Sequence, residues 1–236
     1  MISIPRVQHP HASEIKFIVD AATAQRIRDW ARVHMAPDPH GAGPFSDQYR
    51  TTSLYLDTDQ FDVFHRRGSY GRAKYRIRRY GDATTVFLER KMKTRGFLHK
   101  RRTAAEIDAL EQLAMGEPGA SHWSGYWFHR RVTRRRLRPV CEIAYLRTAR
   151  TALTDEGPVR LTIDEAVQAR VIDALRFSMA PGVPTLDQQC VVELKYLDIP
   201  PALLRRLVEE FTLEPKPVSK YRLSVEALGL ANAFHA

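Results

Sequence analysis

Twelve lysines and arginines stand between Arg72 and Arg102, against two acidic residues, Asp82 and Glu89. They are not a simple charge run, because β-branched and aromatic residues alternate with them. Successive side chains of a strand face opposite sides, so Lys74, Arg76 and Arg78 share one face while Tyr75 and Ile77 take the other. The returning strand puts Glu89, Lys91 and Lys93 together, opposite Val86, Leu88 and Met92, with Arg90 interrupting the apolar side. Gly81-Asp82 supplies the turn between them. Guanidinium and ammonium groups at this spacing make charge-assisted hydrogen bonds to phosphate oxygens. Carboxylates among them can hold a divalent cation against the same oxygens.

The same division recurs far away in the chain. Glu14 and Lys16 oppose Ile15, Phe17 and Val19; Arg160, Thr162 and Asp164 oppose Leu161 and Ile163; Glu193 and Lys195 oppose Val192 and Leu194. Lys100 and Arg102 also share one side of their strand. A wet outer face explains any one of these strands alone, since charged residues usually meet solvent. It does not explain why carboxylates and cations mix at recurring spacing, or why the opposite faces are apolar enough to need cover. A closed barrel with a charged lumen and helices packed outside satisfies every strand together. Crowded cations repel one another in an empty lumen, and a bound polyanion relieves this, each charge-assisted bond contributing about 1.5–3 kcal/mol.

The elements that must position these side chains are mostly strands. Period-2 segments cover 14–19, 52–57, 73–80, 85–93, 97–102, 139–147, 159–164 and 190–196. Helical spacing is confined to Ala24, Ile27 and Ala31, to Ile107, Leu110 and Leu113 or Ala114, and to a helix opened by Pro200 and Pro201 with Leu204, Leu207, Val208 and Phe211 on one face. A short helix from about Ser224 to Ala231 closes the chain. The fold class is therefore mainly β with peripheral helices: an eight-stranded antiparallel closed tunnel barrel with a charged lumen.

The 236 residues, 44% of them hydrophobic, suffice for one large domain with a real core. One domain is expected over 1–236, with residues 1–12 a mobile tail; His9 and His11 have metal-like spacing but belong to that tail. The net charge of +10 implies an anionic partner: nucleic acid, anionic lipid or a phosphate-rich small molecule. Cys141 and Cys190 show neither zinc nor disulfide spacing. No stretch approaches ~18 consecutive apolar residues, so no transmembrane segment is expected and a cytoplasmic location is the default. Arg134 to Arg136 are expected outside the tunnel as a solvated patch.

The segments SEIKFIV, TSLYLDT, YRIRRYG, FLERKMKTRGFLHKRR, YLRTA, VRLTID, VVELKY and SKYRLSVEAL follow one another from about Ser13 to Leu228. In this order they resemble the VTC domain, the polyphosphate polymerase module of the vacuolar transporter chaperone complex and its bacterial relatives. That domain is grouped with the triphosphate tunnel metalloenzymes, related to the CYTH proteins. The resemblance implies an eight-stranded tunnel whose cations hold a nucleoside triphosphate or polyphosphate chain. It further implies a late-strand glutamate that supports Mn²⁺ or Mg²⁺.

Carried over by motif, the catalytic candidates are Arg76, Arg78, Lys91, Lys100, Arg147 and Glu193. The substrate-binding candidates are Lys16, Tyr145, Arg160, Lys195, Ser219 and Lys220. Glu193, Glu14 and Glu89 are the metal candidates, with Asp164 an additional tunnel acid. Tyr145 is equally readable as a core aromatic, and Ser219 as the N-cap of the last helix. The tunnel phosphatases of CYTH type carry ExExK on the first strand, whereas this chain has only SEIK. The missing carboxylate favours the polymerase branch over triphosphate hydrolysis.

The expected activity is thus an ATP-polyphosphate phosphotransferase, with ATP or another nucleoside triphosphate and inorganic polyphosphate, triphosphate or pyrophosphate as partners. A triphosphate or polyphosphate hydrolase of the same fold is the alternative, as is a non-catalytic polyphosphate or inositol-phosphate binding module. No nucleic acid is expected, because the aromatics near the basic strands mostly occupy the opposite face.

Overall fold

The computed structural model describes residues 12–94, 97–114 and 123–231, without the side chains of 12, 93, 94, 97, 98 and 112. The expected tail, with His9 and His11, lies outside the described residues apart from the backbone of Ala12, and so does the Lys93 side chain. In chain order the elements are β1 (Ala12–Val19), α1 (Ala21–His34), β2 (Ala36–Pro37), β3 (Gln48–Asp57) and α2 (Asp62–His65). There follow β4 (Ala73–Tyr80), β5 (Thr85–Thr94), β6 (Phe97–Glu106), α3 (Leu110–Ala114) and α4 (Tyr126–Arg134). The rest comprises β7 (Arg138–Thr154), β8 (Gly157–Val171), β9 (Val183–Pro184), β10 (Cys190–Leu197), α5 (Ala202–Glu210) and α6 (Lys220–Ala227).

Eight strands pair in the order β1-β10-β8-β7-β3-β4-β5-β6, all antiparallel, while the two-residue β2 and β9 flank β7 and β8. Among the described residues no backbone pairing joins the outermost strands, β1 and β6. Side chains show how far the sheet curls: Lys91 Nζ of β5 lies 3.2 Å from both carboxylate oxygens of Glu14 on β1, although six steps of the ladder separate the strands. Gly81 takes the β4–β5 turn at φ +51°, a left-handed conformation that glycine adopts without steric cost.

The apolar sides of the strands point outward, as their patterning requires. Phe17, Leu161, Ile163, Val192 and Leu194 are buried beneath α1 and α5, against Ile27, Ala31, Leu204 and Leu207. Leu54, Ile77, Val86 and Leu88 pack in a second core with Phe128 and Val132 of α4. At roughly 25 cal/mol per Å² of apolar surface removed from water, these outer layers hold the curl against repulsion within.

Three elements differ from expectation. The last helix starts at Lys220, not Ser224, because Ser219 caps it: the Ser219 Oγ accepts the Arg222 N–H at 3.3 Å. Helix α4 is an unexpected element: Phe128 and Val132, four residues apart, bury one stripe while its arginines take the opposite side. Strands β7 and β8 run to 154 and 171, forming a long hairpin that turns at Gly157.

Candidate functional site

Strand alternation brings the predicted residues to one cavity of about 580 Å³, counting its open mouth. Lys16 reaches it from β1, Arg76 and Arg78 from β4, Lys91 from β5, Tyr145 and Arg147 from β7, and Glu193 and Lys195 from β10. Ser219 and Lys220 enter at the start of α6. Eight cations line this space, with Glu193 the one lining carboxylate.

Two of those cations, Arg78 and Lys74, have no carboxylate within ion-pair distance among the described residues. Arg78 is buried, and its guanidinium donates to Ser53 Oγ and Tyr145 OH, both at 3.1 Å. Lys74 Nζ donates to Ser219 Oγ at 2.7 Å. Burial, then the neighbouring cations Lys16, Lys91 and Arg76, press the Lys74 ammonium down to about 8, against a partial counterweight from Tyr55.

The acids form three stations. At the first, Lys16 Nζ sits 2.9 Å from Glu14 and 3.6 Å from Glu193, while Lys195 Nζ is 2.8 Å from Glu193 and 3.7 Å from Glu14. Burial opposes the charge on both carboxyls, but the surrounding lysines outweigh it and hold both below the ordinary range. At the second, buried Glu89 receives Arg76 and Lys100 at 2.7 Å each and Arg102 at 3.4 Å. At the third, the fully buried Asp164 takes Arg147 through both oxygens, at 2.6 and 2.7 Å, and Lys220 at 2.6 Å. Burial raises the Asp164 carboxyl, yet Arg147 and then Lys220 pull it down to about 2.

The remaining candidates stand apart from the cavity wall. Lys100 is half-exposed beside Glu89. Arg160 lies on the expected face but is held by Asp38, at 2.9 Å, and by the Tyr49 hydroxyl, at 2.8 Å. Glu14 backs the wall through Lys16 and Lys91.

A divalent cation needs several oxygen ligands, and here it would have to displace cations that already pair with the acids. Among the described residues no cluster of three or more metal-binding side chains exists. Glu14 and Glu193 share two lysines, Lys16 and Lys195, and are the one pair of candidate metal acids brought together among the described residues. Glu89 belongs to a different station, surrounded by three cations.

Two cavity tyrosines, and the lining Val218, escaped the sequence reading. Tyr55 follows Ser53 by two positions in TSLYLDT, so its alternation was there to find. Its hydroxyl accepts from Arg76 Nη1 at 3.0 Å. Burial alone would raise this phenol, but Arg76 and then Arg78 bring it down to about 8. Tyr221 stacks on Tyr55 with ring centroids 5.2 Å apart and donates its hydroxyl hydrogen to Asp57. No local signal marks it, because its place depends on how α6 docks against the barrel.

Solved structures share this architecture. An adenylate cyclase candidate from Bacillus halodurans superposes with a TM-score of 0.53 at 14% identity, covering 87% of this chain and 92% of its own. A protein from Hippeastrum, first regarded as an adenylyl cyclase and found to have a dominant triphosphatase activity, gives 0.51 at 16% identity over 92% of this chain and 95% of its own. At such identities the likeness shows the fold alone. A search of curated protein sequences returns no match. The family model of the VTC domain matches residues 11–229, and the chain belongs to that family.

Proposed function

We propose that the protein is a metal-dependent phosphotransferase that lengthens inorganic polyphosphate with the terminal phosphoryl group of ATP or another nucleoside triphosphate. The observation that carries this reading is the charge balance of the cavity. Eight cations face it, and even with Glu14, Glu89 and Asp164 added to Glu193, carboxylates neutralise at most half of them. A phosphate chain is the ligand class that supplies many anionic oxygens in a narrow space. The poverty in carboxylates favours transfer to another phosphate over activation of water.

Phosphoryl transfer depends mostly on positioning and charge neutralisation. Arg76, Arg78 and Arg147 would grip the triphosphate, with Tyr55 and Glu89 fixing Arg76. Lys16, Lys91 and Lys195 flank Glu14 and Glu193, the pair that would hold Mn²⁺ or Mg²⁺. When bound, that cation neutralises charge on the transferring phosphate. Lys220, with Lys74 and Ser219, would orient the acceptor chain. A terminal acceptor oxygen attacks the γ-phosphorus, and the bond to the β-phosphate oxygen breaks to release the nucleoside diphosphate. Lys100 and Arg160 stand where they could receive the chain beyond the reacting centre.

The direct test is incubation with ATP and Mn²⁺ or Mg²⁺, followed by analysis for acid-labile long-chain phosphate. Chain growth is expected. Free phosphate alone would establish a hydrolase instead. Strong stabilisation by polyphosphate without turnover would establish a binding module; saturation at about a hundred times the dissociation constant adds roughly 2.7 kcal/mol. Glu193→Gln should abolish turnover while triphosphate still binds, and a fully active variant refutes the assigned metal role.

A further inference from the structure

Outside the barrel, α4 lies over β5 and β6. It is anchored there by Phe128 in the core and by the Trp127 indole N–H, which donates to Thr103 Oγ1 at 2.8 Å. Arg101 of β6 and Trp127, Arg130, Arg131 and Arg134 of α4 line an open hollow of about 590 Å³, counting its mouth. No carboxylate lines it, and among the described residues none of these four arginines joins an ion pair. Arg135 and Arg136, their chain neighbours, do not contribute: Arg135 turns onto Tyr70 and Ser69.

The hollow adjoins the edge of the sheet. Strand β6 ends the ladder, and its alternation directs Lys100 and Arg102 inward to Glu89 while Arg101 lies over Trp127 on the outside. One edge therefore presents cations to both of its sides. Arg130 and Arg134, four residues apart on a helix, are separated by about 6 Å along its axis.

We propose that this hollow is a second anion site, outside the tunnel, that binds a stretch of linear inorganic polyphosphate passing over the β6 edge. The identity of the chain rests on the function proposed above; the site itself rests on four arginines that meet no carboxylate among the described residues. Other polyanions fit less well. A single-stranded nucleic acid seeks an open aromatic face, but the Arg101 guanidinium covers the Trp127 ring at 4.2 Å and Thr103 takes its N–H. A membrane-surface helix needs an apolar side to insert, and none of the exposed large hydrophobic residues belongs to α4.

The test compares Arg130→Gln/Arg134→Gln with Arg205→Gln/Arg206→Gln, which removes the same charge from exposed positions of α5 on another face. Binding of long-chain polyphosphate and of tripolyphosphate is measured by calorimetry over a range of salt, with thermal melting to establish folding. The α4 variant should bind the long chain about tenfold more weakly and with a shallower salt dependence, in line with two exposed charge contacts. Its tripolyphosphate affinity, and both affinities of the α5 variant, should stay unchanged.

Unaltered long-chain affinity in the α4 variant overturns the site, and equal losses in both variants reduce it to net charge. If single-stranded RNA or phosphatidylserine vesicles displace the long chain from this site more readily than polyphosphate does, the ligand class is wrong. If the wild type binds long chains but not tripolyphosphate, the tunnel reading fails while this site stands; the reverse result rejects this site and leaves the tunnel as a triphosphate site without chain lengthening.

Discussion

Asp164→Asn is the most demanding perturbation of the lumen. The carboxylate is fully buried and accepts three short bonds, two from Arg147 and one from Lys220. Arg147 is itself buried, so the substitution leaves a guanidinium and an ammonium facing one neutral amide. Breaking a buried pair from one side costs about 3–5 kcal/mol. Asparagine keeps one acceptor oxygen, which places the expected loss near the lower end, at about 3 kcal/mol. In a domain of this size that corresponds to a fall in Tm of about 6–12 °C. Phosphate oxygens can replace the missing carboxylate, so tripolyphosphate should restore more stability to the variant than to the wild type.

Acid sharpens the same test. The Asp164 carboxyl sits at about 2 in the folded protein, below its unfolded value of roughly 3.9. A depressed carboxyl contributes stability that is present above about pH 4 and lost as pH falls toward about 2. Glu89 and Glu193 are depressed too, so both proteins weaken in acid, but the gap between them isolates Asp164 and should close over that window. Urea denaturation at several pH values, with and without tripolyphosphate, measures every quantity. A variant within about 0.5 kcal/mol of wild type at neutral pH, the range of ordinary surface changes, would refute the view that Asp164 holds Arg147 and Lys220 as their counter-anion. A gain from ligand no larger than that of wild type would refute it equally.

Tyrosinate absorbance should show one phenol titrating near pH 8, absent in Tyr55→Phe, and moved upward when tripolyphosphate neutralises Arg76 and Arg78. Because that folded value lies below the unfolded ~10, the phenolate adds stability as pH rises from about 8 to about 10; a wild type without the step contradicts the assigned field. Arg78→Gln should weaken tripolyphosphate binding about 10- to 100-fold in calorimetry, the loss of a charge-assisted contact; unchanged affinity removes Arg78 from the site. Leu88→Ala opens the outer core beneath α4 and should cost about 2–5 kcal/mol in urea denaturation. Its tripolyphosphate affinity per folded molecule should not change, since Leu88 faces away from the cavity; a parallel loss of affinity would contradict the inside-out layering.

Much of the architecture was legible because strand alternation is a local, covalent property. Residues two apart must share a face, so Lys74, Arg76 and Arg78 were placed together before any partner was known, and so were Glu193 and Lys195. Helices α1 and α5 were legible from their apolar stripes. Helix α4 is amphipathic too, with Phe128, His129 and Val132 buried and its arginines on the other side, but it is only nine residues long and its stripe is short. Tyr55 follows the same alternation as Ser53, but a lone aromatic on a strand does not by its type announce a place among charges.

Local geometry cannot say which face will meet which, and that is where tertiary structure decided the site. Lys91 finds Glu14 across 77 positions of sequence only because the sheet curls. The three metal candidates divide into the Glu14–Glu193 pair and a separate Glu89 because register sets Arg76 directly beside Glu89. Arg160 turns to Asp38 on a connecting segment, and Tyr221 reaches Asp57 through the docking of α6. Alternation thus settled from sequence alone which strand residues share a face, but not that α6 would add Ser219, Lys220 and Tyr221 to the cavity or that Arg160 would turn away from it. Their distances, partners and charge states arose from strand register, curvature and helix docking, which sum over contacts between residues remote along the chain.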